Sequence, residues 1–549
     1  MSKFSVFFLM SLLFSAASYA QQTQLLSIDY RETPASELLV DFKLSDITEY
    51  KAFVLPEPSR LVVDFSETVL IENIVQPLKS AFYLDSIRTG SGGGQKDKQN
   101  LRIVFDLKPG IRPANIIVKN DHSNTLHVIL KLLPTSTIDK EKRLVSGVHT
   151  QTSSEFDDAS VDSDERGSQF FSEWQLSGKL GFEELGFFHN GLDSKQHNNY
   201  LSGSIEPELY REWDGGKQSF TFSPFFRYSQ HDNKRTHFDI RELTWLLAER
   251  DWELRVGFRK VFWGVAEGLH LVDIINQTDL VENTDTEDKL GQPMINLAVI
   301  RDWGTLDLFI LPGFRERTFS GVEGRLRSFP EVSVGDAEYE NHGVEKHMAY
   351  AIRWSQVMGD WDIGFSHFYG SSREPTFKLK ALPTGSLQII PYYELINQTG
   401  LDLQLTHEDW IYKYEGIVRE GQGHTFYAMT TGIEYTLFDL FSSGLDLGVV
   451  VEYMYDTRSS KNTLAPFQDD ILTALRFGFN DVQSTEILAG VMFDRTNNSK
   501  FYNIEASRRI ADSFKVDLEM RLFSGAPTTD ASYSIREDDH IRLEIGYYF

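Results

Sequence analysis

The chain reads as all-β, a small N-terminal β domain ahead of a large antiparallel transmembrane β-barrel of about 16–18 strands. Three observations predict this class. The second half alternates apolar and polar residues with period two, the N-terminus carries an export leader, and no later run of about 18 apolar residues supplies a membrane helix.

The leader comes first. Lys3, an apolar stretch from Phe4 to Ala17 and the small-x-small triplet Ser18-Tyr19-Ala20 form a secretory signal peptide over 1–20, so the mature chain is expected to begin near Gln21. The sequence has no cysteine, which excludes disulfides, thiol nucleophiles and zinc–thiolate clusters. A formal net charge of -26 argues against nucleic acid, whose phosphates need clustered Lys and Arg. With 40 Phe and 22 Tyr, the composition suits a barrel whose residues alternate between lipid and water.

Residues 21–134 read as short strands with turn signals. Residues 135–169, which include Asp157-Asp158 and Asp162-Ser163-Asp164-Glu165, hold too few apolar side chains to offset ordering entropy and read as a flexible acidic linker. Its relaxed span would be about 30–35 Å.

Residues 170–549 read as the barrel. Back from Phe549, Tyr547, Ile545, Leu543 and Ile541 share one face, while Tyr548, Gly546, Glu544, Arg542 and His540 share the other. Phe514, Val516, Leu518, Met520 and Leu522 repeat the pattern against Lys515, Asp517, Glu519, Arg521 and Phe523. Leu445 to Tyr455 repeats it less cleanly. Charges of both signs on the second face suit a water-filled lumen. Strand-like segments number about eighteen, with Leu387 to Leu395 ambiguous. Short turns such as Glu408-Asp409 and long polar connections at 264–292, 313–345 and 371–397 match the asymmetry of short periplasmic turns and long outer loops.

The phrases Arg60-Leu61-Val62-Val63-Asp64-Phe65, Ser86-Ile87-Arg88-Thr89-Gly90 and Leu101-Arg102-Ile103-Val104-Phe105-Asp106-Leu107 resemble an AMIN domain, a small periplasmic β module. That resemblance implies binding of peptidoglycan or another periplasmic polymer, with Arg60, Asp64, Arg88, Arg102 and Asp106 as candidate residues. The alternative is that Asp64 and Asp106 cap strand ends and Arg88 is a turn charge. The barrel zone is similar to porin-like outer-membrane proteins, a group that looks related to alginate-export and other wide barrels. The resemblance lies in Val256 to Gly264, Val272 to Asp279 and Thr399 to Gln404, and Gln277 stands where such barrels often carry proline.

Arg259, Lys413, Glu415, Arg419, Arg476, Glu519 and Arg521 are expected to line the lumen, either as a mixed-sign pore or as paired charges in a plugged one. The connection after Arg259 carries Asp273, Asp279, Glu282, Asp285 and Asp288. It reads as a loop folding into the lumen to constrict it, a surface loop binding cations and lipopolysaccharide, or a solvated loop. Asp239, Arg241 and Glu242 read as a solvated charge group. No catalytic motif, cofactor site or metal site is legible: the glycines from Gly90 to Gly94 lack phosphate-loop spacing, and His342 and His347 stand at an odd offset on a strand.

Expected partners are outer-membrane lipid and lipopolysaccharide, a periplasmic polymer such as peptidoglycan, and the barrel-assembly machinery; oligomeric state is left open. The expected function is a porin-like channel for small polar solutes tethered to the wall. A non-conducting envelope tether and a dedicated polymer export pore are the alternatives.

Overall fold

The alternation produces strands of the length that a tilted bilayer crossing requires. A computed structural model describes residues 23–133 and 174–549, apart from 34–36, 47, 49, 57–58, 67, 71–82, 92–100, 109–110, 121–123, 341–347, 384, 459–466 and 512. The signal peptide, the linker, most of the Gly90–Gly94 run and the His342/His347 pair therefore lie outside the described residues. The chain divides into two compact units, with the boundary between Leu133 and Pro134.

The first unit is built from two sheets. One orders the strands Thr68–Leu70, Thr23–Thr33, Glu37–Leu44, Thr125–Leu133 and Arg112–Asn120; the other orders Tyr50–Pro56, Ser59–Phe65, Leu101–Leu107 and Leu84–Ser91. Alternate residues from both, among them Val40, Phe42, Leu61, Phe65, Phe105 and Val128, bury one shared core. Phe42 meets Phe65 and Phe105 edge to face at 5.2 and 5.9 Å.

The second unit is a closed antiparallel barrel of eighteen strands, from Gln175–Phe187 to His540–Tyr548. Closure pairs Lys179 with Tyr548 and Phe187 with His540, and Gly178 and Phe549 exchange both backbone hydrogen bonds at the seam. A closed ladder leaves no strand edge unpaired, the condition for crossing a bilayer as sheet. Pro224, which has no N–H for the ladder, sits at a register shift between Gln218–Ser229 and His237–Ala248. The ambiguous stretch at Leu387 divides in two. Leu387–Tyr393 leaves the barrel for a three-stranded sheet with Thr376–Ala381 and Glu338–Tyr339, whereas Leu395–His407 is a barrel strand.

The two faces separate by burial. Leu543, Ile545 and Tyr547 are exposed while His540, Arg542 and Glu544 are largely covered, and the same division holds for Leu518 against Glu519 and Arg521. Outward aromatics gather at two levels. Trp213, Trp303, Trp361, Trp410 and Tyr547 lie near the short-turn rim, and Tyr228, Phe238, Tyr350, Tyr369 and Tyr427 near the long-loop rim, with Ile352, Phe365, Ile433 and Leu475 between. An apolar band between two aromatic girdles, around a charged interior, is the surface of a membrane-spanning barrel.

Candidate functional site

The inward face carries arginines and carboxylates at alternate positions, and these side chains do not face an empty lumen. The connection from Lys260 to Gly291, between Trp252–Arg259 and Gln292–Arg301, turns inside the barrel and buries Val272, Ile274, Ile275, Gln277 and Asp279. Its base is fixed by Asn276, which accepts from the Val261 N–H at 2.8 Å and donates to the carbonyls of Arg259 and Leu290. Backbone left without a ladder partner inside a bilayer-depth lumen needs such acceptors and donors.

One half of the loop docks on the wall opposite its origin. Glu415, fully buried on Trp410–Glu420, accepts from the backbone N–H groups of Val265, Ala266 and Val272 at 2.7, 2.9 and 3.2 Å. Glu452, on Asp446–Asp456, accepts from Glu267 and Gly268 at 2.7 and 2.9 Å. Arg476 pairs with Glu267 at 2.8 Å, and Lys413 pairs with Glu434 at 3.3 Å. Gly264 has φ +142, and a Cβ there would stand 2.9 Å from the Glu415 Oε1, so this close approach needs glycine.

The other half docks on the seam side. Asp279 binds Arg241 at 2.8 Å and accepts from the Thr318 hydroxyl at 2.7 Å. Glu282 binds Arg227 at 2.8 Å, and Asp285 binds Arg521 at 3.1 Å. Asp273 pairs within the loop with Lys289 at 3.0 Å. The backbone carbonyl of Asp288 accepts from the Asp279 N–H at 2.8 Å. With anchors on both sides, the loop crosses the lumen.

The sequence-predicted lining residues all lie on the inward face. Arg259 donates to Asn296 at 3.1 Å, Arg419 binds Glu374 at 2.7 Å, and Glu519 pairs with Arg521 at 3.0 Å. The Asp239–Arg241 pair, expected to be solvated, is instead buried: both side chains point inward, where Arg241 anchors the loop and Asp239 also meets Arg315 at 2.8 Å. Among the described residues, no group of three His, Asp or Glu side chains is placed to hold a metal ion.

Sequence reasoning missed the densest charge group. Glu183, 1% exposed, receives Arg235, Arg542 at 2.8 Å and Arg227 at 3.4 Å, from three different segments. It also missed Arg325, on the connection after Gly304–Pro312, which reaches Asp538 at 2.7 Å and the carbonyls of His189 and Glu537. That second connection runs over the long-loop mouth to the seam, where the Tyr200 hydroxyl donates to the Glu323 carbonyl at 2.6 Å. The only signal available was the inward parity of Glu183 and Arg542, because their partners depend on strand register.

In the N-terminal unit the five candidate residues come together in ion pairs on one sheet. Arg88 binds Asp106 through two contacts of 2.6 and 2.5 Å, Arg102 binds Asp64 through two of 2.6 Å, and Arg60 approaches Asp106 at 3.4 Å. Asp64, Arg88 and Asp106 are therefore cross-strand partners within strands, in place of the alternative reading as strand caps and a turn charge.

Residues 27–128 match the AMIN domain. No curated protein matches the chain. Among solved structures it is similar to OccK11 of Pseudomonas aeruginosa, with TM-score 0.40 and 10% identity over 69% of this chain and 96% of that one. It is similar to OprB of Pseudomonas putida, with TM-score 0.36 and 10% identity over 70% and 96%. A loop-deletion form of OmpT of Vibrio cholerae gives TM-score 0.37 and 9% identity over 68% and 99%. The family match thus falls within the N-terminal unit, and a closed eighteen-stranded barrel follows it in the chain.

Proposed function

We propose that the chain is a porin-like outer-membrane channel for small polar solutes, held to a periplasmic polymer such as peptidoglycan by its N-terminal domain. The observation that carries this reading is the closed eighteen-stranded barrel whose charged lumen is narrowed by a loop docked on both sides. A loop fixed at that depth sets the pore's cross-section and brings charge close to any passing solute. The match of residues 27–128 to the AMIN domain, a periplasmic module, supports a periplasmic N-terminal domain.

A second reading, an envelope tether whose barrel is only an anchor, draws support from the same loop, since its acids are matched to wall arginines and could fill the lumen. Deleting residues 21–134 from the full chain separates the two. A channel conducts unchanged while co-sedimentation with peptidoglycan is lost. If conduction stops with the deletion, the independent-channel reading fails, and if co-sedimentation persists, the tethering role of the N-terminal domain fails.

A further inference from the structure

The lumen also holds a second cluster of arginines, of which Arg419 and Arg458 make no hydrogen bond to the docked loop among the described residues. Glu374, just past the strand Trp361–Ser371, receives Arg419 at 2.7 Å and Arg458 at 3.1 Å on the same oxygen. Burial works against its ionisation, but Arg419, Arg458 and Arg317 together outweigh that and hold the carboxyl well below the usual range. Arg458 is shared with Asp456 at 2.6 Å, while Arg419 is otherwise bound to the neutral Gln398 and Gln422.

Two guanidinium groups thus meet Glu374 and Asp456, and Arg317 stands near enough to add to the positive field at Glu374. Arg317 is the group with spare capacity. Its backbone N–H donates to the Tyr393 hydroxyl and its Nε to the Gln277 Oε1, but among the described residues its two terminal nitrogens make no hydrogen bond. It is only half-buried, and the Glu374 side chain is 34% exposed, so water and solute reach both. The neighbouring Arg373 adds a further buried charge, which donates to the carbonyls of Ile275 and Ser371 and lies over the rings of Phe314 and Phe368.

We propose that Arg317, Arg419 and Arg458 form a binding station for a small oxyanion inside the lumen, with Glu374 aligning the guanidinium groups beside it. A planar guanidinium with two free terminal nitrogens fits a carboxylate or a phosphate equally well. The proposal deepens the channel reading and relies on it for the route by which solute arrives. It makes the station a point where a small anion pauses between the mouth and the loop.

The test is calorimetric titration of the folded full-length chain in detergent with sodium succinate and, separately, with inorganic phosphate. Saturable binding of either supports the station, and the preferred anion tells which oxyanion it serves. Arg317→Gln should weaken that binding about ten-fold, the loss expected for one charge-assisted hydrogen bond. Arg317→Lys should weaken it less, and Arg508→Gln, which removes a charge from the short-turn rim, should leave it unchanged. Absence of saturable binding with both anions, or binding that Arg317→Gln does not alter, overturns the station. A chain that binds anion yet never conducts keeps the station and loses the channel, and the converse result does the opposite.

Discussion

Gly268, at the far reach of the inward loop, donates its backbone N–H to Glu452 on the opposite wall at 2.9 Å. A Cβ at Gly268 would stand 2.3 Å from the Met454 methyl, so the loop backbone lies directly against the wall there. The contact turns a connection between neighbouring strands into a bar across the lumen.

Removing that acceptor should release the bar at one end. Glu452→Ala leaves the N–H groups of Glu267 and Gly268 without their acceptor, a loss of about 2 kcal/mol in local docking. Hydrogen exchange over 260–275 should then speed up about thirty-fold. Exchange over 279–285, anchored by Arg227, Arg241 and Arg521, should hold its rate. Equal acceleration in both segments would mean that the loop docks as one unit.

The loop should respond to pH through its acids. Crowding by protein, then repulsion from Asp285 and Glu505, push Glu287 up to about 7, with His270 and Asp288 as its further charged neighbours. Burial and then Asp285 and Glu282 push Asp288 up to about 6, against Arg542 and Arg241. Both folded values are raised, so both groups favour the docked loop when protonated. That contribution is complete below the ordinary carboxylate range of about 4 and is lost as pH rises through 6 to 7. Single-channel conductance should therefore be smaller at about pH 5 than at about pH 8. A flat profile across that window would remove these acids from control of the loop.

Breaking the Glu183 group should cost stability. Glu183→Gln leaves Arg227, Arg235 and Arg542 facing one another without their central charge, a loss of about 3–5 kcal/mol. The folded, SDS-resistant band should convert to the unfolded one at a clearly lower temperature than in the parent chain. Conversion at the parent temperature would show that water or another carboxylate compensates.

In the N-terminal unit, Asp106→Asn weakens the shared partner of Arg60 and Arg88 and should lower that unit's stability by about 2 kcal/mol. Limited proteolysis should then cut within residues 23–133 at lower protease concentration, while the barrel fragment stays intact. Unchanged cleavage would make the pair a surface feature with no part in stability.

The barrel was legible in the sequence because each side chain's face follows from parity alone. Ile541, Leu543 and Ile545 announce an outward row wherever the strand sits, and counting such rows gave about eighteen strands. Parity left Leu387–Tyr393 ambiguous, because the strand is real but its partners lie outside the barrel ladder. The AMIN domain was legible from two Arg-to-Asp strand phrases, whose charges pair across strands by register. The lumen was legible only by sign. That Asp279 meets Arg241, or Arg542 meets Glu183 from 359 positions away, depends on loop path and closure, which no local pattern carries. Glu374 and Arg458 escaped notice for the same reason, each lying in a connection outside the alternating strands.

The proposed channel requires a water-filled path through the barrel, narrowed by the 260–291 loop. Single-channel recording of the refolded mature chain in planar bilayers tests it most directly. A channel gives discrete conductance steps that scale with salt and grow larger in Glu452→Ala. A folded, heat-modifiable chain that never conducts, in either form, would contradict it.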